Sequence, residues 1–422
     1  MMNPLRHGYE VSENAFLQPI LNQCQNVLID GLRIIANRDV INGTNLDPGF
    51  RFNYCSNVRL ISPRVDHFSA FGASFRSCWN THVEKGRFYR SRATTTGYGV
   101  GVFGCSENFY ISGDFISCRH SVSIAAGVSP DGERRGVVRK GTILNSRGSG
   151  SEFALDSAGD QIPTSGGDAF DCHSNSEDIT FVNLTVTGAS GSGFNYEGRN
   201  PTLINCNVNG SRGHGFFITN RTTKGSVVRV SGRVVGWGNE QTTDGSTRFS
   251  AMRIINGFAA GRGAISELYL DLKFSEGGPR GVNALQIQQE NGMPRIERGK
   301  ITVNGRATPG FEFRALDITG VDGAQIEGDV DVTPSTAATG PDIMQIDDCS
   351  RIRFNFGGLA SRIGIEMNNV TDSTGMFALV GSGANDGINL DPNCTGNIFF
   401  GSITGFANTV NGGGAGNTFN GA

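Results

Sequence analysis

Six side chains in this sequence are of the types that move protons, and they recur at related positions. His120, His173 and His214 are three of only six histidines, and Asp168, Asp171 and Glu197 stand close to them. Each lies two residues before, between, or just after the members of a short apolar-x-apolar triplet. Histidine titrates near neutrality, and a carboxyl group takes or gives a proton according to its surroundings. Cleaving a bond by general acid-base catalysis needs one group that donates and another that accepts, and this set supplies both. No two-histidine helix motif or dense Asp/Asn loop accompanies them, so neither metal nor cofactor is expected.

The triplets are the elements that must position these groups. They run Val100/Val102, Val122/Ile124, Phe170/Cys172, Phe194/Tyr196, Phe216/Ile218, Met252/Ile254, Leu285/Ile287, Leu316/Ile318, Met344/Ile346, Ile365/Met367 and Ile388/Leu390. Each is followed by Gly, Asn, Asp or Ser and then by a second alternating run, the signature of short strands joined by turns. A repeat of this length with no helical pattern between strands predicts a solenoid. We expect an all-β, single-stranded, right-handed parallel β-helix of roughly 14 coils. Residues 1–21 would form a cap or lead-in, and residues 22–422 the β-helix. One double-length step, between Ile124 and Cys172, is read as a single coil lengthened by a loop carrying Glu152, Asp156 and Asp160.

Stacking makes the repeat a rule for neighbours, because equivalent residues of successive coils lie about 5 Å apart. Between the triplet members stand Gly101, Ser123, Asp171, Asn195, Phe217, Arg253 and Gln286. After them stand Phe103, Ala125, His173, Glu197, Thr219, Ile255 and Gln288, and two before them Tyr98, His120, Asp168, Ser192, His214 and Ser250. Asp171 and His173 share one side of a strand. Asp171 and Glu197 would be about 5 to 8 Å apart, a range used by both retaining and inverting glycosidases. Arg119, Arg199 and Arg253 edge the strip. A guanidinium binds carboxylate or phosphate through two parallel bonds, so these arginines, with Asn195, suit an acidic sugar or a phosphodiester-linked glycan. Tyr98, Trp237, Phe217 and Tyr196 offer aromatic surface, although Tyr196 is in register for the core.

Composition narrows the alternatives. Glycine makes up 61 of 422 residues, and charged residues only 18%, which argues against helical bundles and coiled coils. A net charge of -3 gives no footprint for nucleic acid. No run approaches 18 apolar residues, and the start lacks the apolar stretch of a signal peptide, so no membrane insertion is expected. Nine cysteines without a CxxC pair fit neither a disulfide scaffold nor a zinc site. Several recur in one context, as in Cys24-Gln-Asn, Cys55-Ser-Asn and Cys78-Trp-Asn. They read as reduced fillers at one repeated corner.

Two resemblances add to this reading. Cys118-Arg-His-Ser-Val-Ser123, then Asp168-Ala-Phe-Asp-Cys-His173, then Gly193-Phe-Asn-Tyr-Glu-Gly-Arg199-Asn resembles the pectin-lyase-like β-helices of bacteriophage tail spikes and tail appendages. That resemblance implies cleavage of a host surface glycopolymer, by hydrolysis or elimination. Asp168-Ala-Phe-Asp171, Gly213-His214-Gly215 and Arg253-Ile-Ile255 are similar to segments of the polygalacturonase family, in the same order. The chain departs from that family where its paired Asp would fall, at Gly191-Ser192, and at its Lys, here Ile255.

The resulting expectation is a tail-associated depolymerase, located on the virion tail and acting on an acidic host surface polysaccharide. Asp171, His173 and Glu197 would be the acid-base groups, His120 and His214 polarising or alternative bases, and Arg119 and Arg199 anion clamps. Two other readings are a glycan-binding tail fibre without catalysis and a secreted bacterial lyase or epimerase. Tail proteins resembling this one are commonly trimers, and the small outward residues of the later coils would allow close approach, so a homotrimer is expected.

Overall fold

The computed structural model describes residues 20–35, 49–68, 70–91, 97–125, 136–151, 166–221, 225–239, 248–257, 264–277, 281–290, 294–307, 313–332, 341–360, 362–381 and 385–421. Most of the expected N-terminal lead-in, and Glu152, Asp156 and Asp160, lie outside them. Among the described residues every regular element is a strand, and the architecture is that of a parallel β-helix. The chain divides into two compact units, Met1–Arg212 and Gly213–Ala422.

In the first unit one sheet is built from Ile20–Asn22, Phe50–Asn53, Phe71–Arg76, Tyr98–Phe103, His120–Ala125, Phe170–Cys172 and Phe194–Tyr196. Each strand pairs in parallel with the next. The register is the one the triplets predict: Val100 faces Val122, Val122 faces Phe170, and Phe170 faces Phe194. Period-two alternation fixes it, since a slip by one residue would turn every apolar side chain outward. The inward residues form an aromatic column, with Phe170 and Phe194 stacked at 5.3 Å and Phe52 and Phe75 at 5.1 Å. His120–Ala125 pairs directly with Phe170–Cys172. The double-length step is therefore one coil.

The rest of each coil is a bent run in a second sheet. Glu107–Ile116 spans the bend unbroken, whereas the next coil covers the same ground with two strands, Val138–Leu144 and Arg147–Ser149. The corner between the sheets explains the recurring Cys-x-Asn. All nine cysteines are unpaired thiols. Cys55 and Cys78 point inward and donate to the Leu21 and Phe52 carbonyls of the preceding coil, at 3.2 and 3.4 Å. Two residues later Asn26, Asn57 and Asn80 adopt left-handed φ values of 56°, 53° and 52°, which asparagine tolerates better than most residues. Their amides form a ladder, Asn80 donating to Asn57 at 2.7 Å and Asn57 to Asn26 at 2.9 Å.

The second unit repeats the design. Phe216–Thr219, Phe249–Asn256, Gly281–Gln289, Arg314–Thr319, Pro341–Asp347, Ile363–Asn368, Asp386–Leu390 and Asn408–Gly412 pair in sequence. Every triplet again meets the next in the predicted register, as in Met252 with Leu285 and Ile254 with Ile287. Trp237 is wholly buried against Phe274 and Phe313. It is therefore a core residue and offers no surface for sugar stacking. The last coil, Asn408–Gly421, buries no side chain fully, as its poverty in apolar residues suggests.

Candidate active site

The outward face of the first unit's triplet sheet brings His120, Ser123, Asp168, Asp171, His173, Asn195 and Glu197 together. Three successive strands and the residues flanking them hold these groups: His120–Ala125, Phe170–Cys172 and Phe194–Tyr196, with Asp168, His173 and Glu197 just outside the last two. In-register pairing puts Ser123 beside Asp171 and Asp171 beside Asn195.

Asp171 is the hub. It is 1% exposed, and both of its oxygens are engaged. Oδ2 accepts from the Ser123 hydroxyl at 3.2 Å and lies 2.6 Å from His173 Nε2, while Oδ1 accepts from Asn195 Nδ2 at 3.2 Å. Burial alone would raise its pKa, but the His173 bond, the His120 and His173 charges and the Ser123 hydroxyl outweigh it and hold the carboxyl below its ordinary value. His173 responds in the opposite sense. Its bond to Asp171 raises its pKa against the effect of burial, which favours the imidazolium form beside the carboxylate. His173 is also the member open to solvent, with 44% of its side chain exposed.

Asp168 shares Asn195 with Asp171, accepting from the same Nδ2 at 3.1 Å through Oδ2. Its Oδ1 takes the Ser192 backbone N–H at 2.6 Å. Burial and the neighbouring Asp171 charge push its pKa up to about 6. One of two adjacent carboxyls thus stays ionised while the other holds a proton in mildly acid solution, the division of labour that acid-base pairs require. The glycine before Ser192 makes this geometry possible. A Cβ on Gly191 would lie 2.8 Å from Asp168 Oδ1, so the turn comes close enough for its next N–H to bind the carboxyl. An aspartate at this turn, as in the polygalacturonase pattern, would collide with Asp168.

His120 is buried, its Nδ1 2.8 Å from the Asp168 carbonyl oxygen and 3.9 Å from Asp171 Oδ2. Burial pushes its pKa down to about 4, so the imidazole is neutral at pH 7 and donates through Nδ1. Its ring meets Tyr98 edge-on at 4.8 Å. On the far side of His173, Glu197 Oε2 is 4.0 Å from Nδ1. That separation is too long for a hydrogen bond; it is a close electrostatic contact between the ring and a carboxylate.

The arginines divide. Arg119 lies at the site, near enough to Tyr98 to offset part of the effect of burial on its hydroxyl and near enough to His120 to help keep it neutral. Arg199 turns toward Glu177, its Nη1 3.9 Å from Oε2, and Arg139 approaches the same carboxylate at 3.8 Å. Arg253 and His214 belong to the second unit. There Arg253 donates to Gln288 Oε1 at 3.0 Å. His214 Nδ1 accepts the Ser250 backbone N–H at 2.9 Å, the ring stacks on Phe217, and burial pushes its pKa down to about 3. His214 is thus a neutral, hydrogen-bonded residue of that unit. Sequence columns included Ser123 but gave it no role, although it holds Asp171. Among the described residues no cluster of three or more His, Cys, Asp or Glu could hold a metal ion.

Comparison with known proteins finds no matching family model, no matching curated protein and no matching solved structure.

Proposed function

We propose that this chain is a polysaccharide depolymerase of the kind carried on bacteriophage tails, cutting a host surface glycan on the strip around His173. The observation that carries this reading is the Asp171–His173 pair at 2.6 Å with the raised-pKa Asp168 beside it. Breaking a glycosidic link, by hydrolysis or by elimination, requires a proton for the departing oxygen and a base for water or for a sugar carbon. His173 is the donor. Asp171 favours its protonated form and fixes the ring through Nε2, which leaves Nδ1 to deliver the proton to the departing oxygen. Glu197, whose Oε2 lies 4.0 Å from Nδ1, is the acceptor, and Asp168, its oxygens held by the Ser192 N–H and Asn195, is a positioning group. Asp171 is a positioning residue, because its oxygens are taken by Ser123, His173 and Asn195.

The assignment to a phage tail rests on the motif resemblance and on the parallel β-helix that accompanies it. The experiment is digestion of a panel of bacterial surface glycans. Falling polymer size with rising ultraviolet absorbance at the unsaturated-uronate band indicates elimination, and falling size without that rise indicates hydrolysis or phosphodiester cleavage. Binding without fragments would replace this reading with a receptor-binding fibre.

A further inference from the structure

Toward the N-terminus the same outward face carries two cations that the catalytic reading does not use. Arg51 and Arg76 stand on adjacent strands, Phe50–Asn53 and Phe71–Arg76, where Arg51 pairs with Ser74 and Asn53 with Arg76. Both arginines are half-buried, and among the described residues neither has a carboxylate partner. The Nε atoms of both, the Ser74 hydroxyl and Asn53 Oδ1 are buried without a hydrogen-bond partner. Four unsatisfied polar atoms on two neighbouring strands are a concentrated cost, since each forgoes the bond that water would have given.

Apolar surroundings increase that cost. The Arg76 guanidinium lies over the Phe103 ring at 5.6 Å. Burial lowers the Arg76 pKa, and the Arg51 charge lowers it further. Two like charges held together in a partly dry setting are poorly stabilised by the protein alone, and an anion would relieve the repulsion and accept from the three donors, the two Nε–H groups and the Ser74 hydroxyl, although not from the Asn53 oxygen. The pair is also joined to the active site by an unbroken line of rings. Phe103 meets Phe71 at 5.3 Å, Phe71 meets Tyr98 at 5.3 Å, and Tyr98 meets His120 at 4.8 Å. Gly101 permits this path, because a Cβ there would lie 2.3 Å from the Phe103 ring and 2.9 Å from that of Phe71.

We infer that Arg51 and Arg76, with Ser74, form an anion subsite for a carboxylate or phosphate group carried by the polymer that is cut at His173. The Arg76 and Asp171 strands are three strand spacings apart, about 14 Å, so the charged group belongs to a sugar several units from the scissile bond. This inference deepens the depolymerase reading and rests on it.

The test uses the full chain with three matched oligosaccharides that differ in one substituent, a uronic acid, a phosphate monoester or none. Calorimetry is done in the His173→Ala background so that the probes survive. One charged probe should bind about tenfold or more tighter than the neutral one, as expected for paired charge-assisted bonds, and which probe does so identifies the anion. The R51Q/R76Q double variant should lose that preference and keep the affinity for the neutral probe. Should the double variant fold poorly, Arg51→Gln alone should lose part of the preference, while Arg51→Lys should retain more of it. Equal binding of all three probes, or a preference that survives in R51Q/R76Q, overturns the subsite. Full cleavage by His173→Ala with the preference intact would overturn the catalytic assignment and leave the subsite standing.

Discussion

Replacing His120 by Asn should change how the first unit responds to acid. In the folded chain the His120 imidazole has a pKa of about 4 because it is buried, whereas in an unfolded chain it titrates near the ordinary 6.5. As pH falls below about 6.5 the unfolded chain takes up a proton that the folded one refuses, so stability falls with pH until about 4. At 1.36 kcal/mol per pKa unit the full loss is about 3 kcal/mol, of which about 2 kcal/mol has accrued by pH 5. Asp168 runs the other way. Its pKa is raised from 3.8 to about 6, so the folded chain takes the proton first and gains about 1 kcal/mol by pH 5. An Asn amide can still donate to the Asp168 carbonyl but cannot titrate. Asp168 is common to both proteins, so their difference isolates His120. Because coils open locally rather than all together, the assay is hydrogen exchange by mass spectrometry on peptides covering His120–Ala125 and Phe170–Cys172, corrected for intrinsic rates. Between pH 7.5 and pH 5 the wild type should lose about 2 kcal/mol more protection than His120→Asn. Parallel losses would show that His120 is not held neutral by burial.

Three further outcomes follow. Asp171→Asn removes the acceptor 2.6 Å from His173 Nε2, so the imidazole signal in an NMR titration should move to lower pH, and the alkaline limb of any cleavage profile should move with it; an unchanged titration would remove Asp171 from the pair. Gly191→Ala places a Cβ 2.8 Å from Asp168 Oδ1, which should cost about 1 to 3 kcal/mol by crowding and move the Asp168 titration to higher pH as the Ser192 N–H bond, which favours the carboxylate, loosens; unaltered melting and titration would count against the close turn. Light scattering at micromolar concentration should give about three times 44.9 kDa, and a monomeric mass across a dilution series would contradict the trimer.

Much of this arrangement is legible in the sequence for a specific reason. A parallel β-helix repeats one environment at one register, so apolar triplets such as Val122/Ile124 and Phe170/Cys172 announce their partners, and the residues between and beside them become columns. Those columns gather His120, Asp168, Asp171, His173, Asn195 and Glu197 without any knowledge of side-chain conformation. Conformation is where the reading stops. Arg199 follows the Phe194–Tyr196 strand in an isolated bridge to Glu177, outside any run of alternation that would announce where its long side chain points; its guanidinium also meets Glu177. The hub role of Asp171 depends on rotamers of Ser123, Asn195 and His173 that spacing does not encode. Trp237 lies outside any strand, and its burial is decided by Phe274 and Phe313 from the coils that follow it. Arg51 and Arg76 stand on the same alternation, Phe50-Arg-Phe52 and Ala73-Ser-Phe75-Arg76, in the two coils before Val100/Val102, and an arginine on an outward strand face reads by itself as a solvated surface residue.

The most direct measurement compares wild type, His173→Ala and Glu197→Gln for the chain-length distribution of a susceptible bacterial surface glycan, with binding to the same glycan measured in parallel. The wild type should shorten the polymer. Both variants should bind it with similar affinity and cut it at least about a hundredfold more slowly, the scale of one lost acid or base. Unimpaired cutting by both variants would show that the strip around His173 is not where the bond is broken.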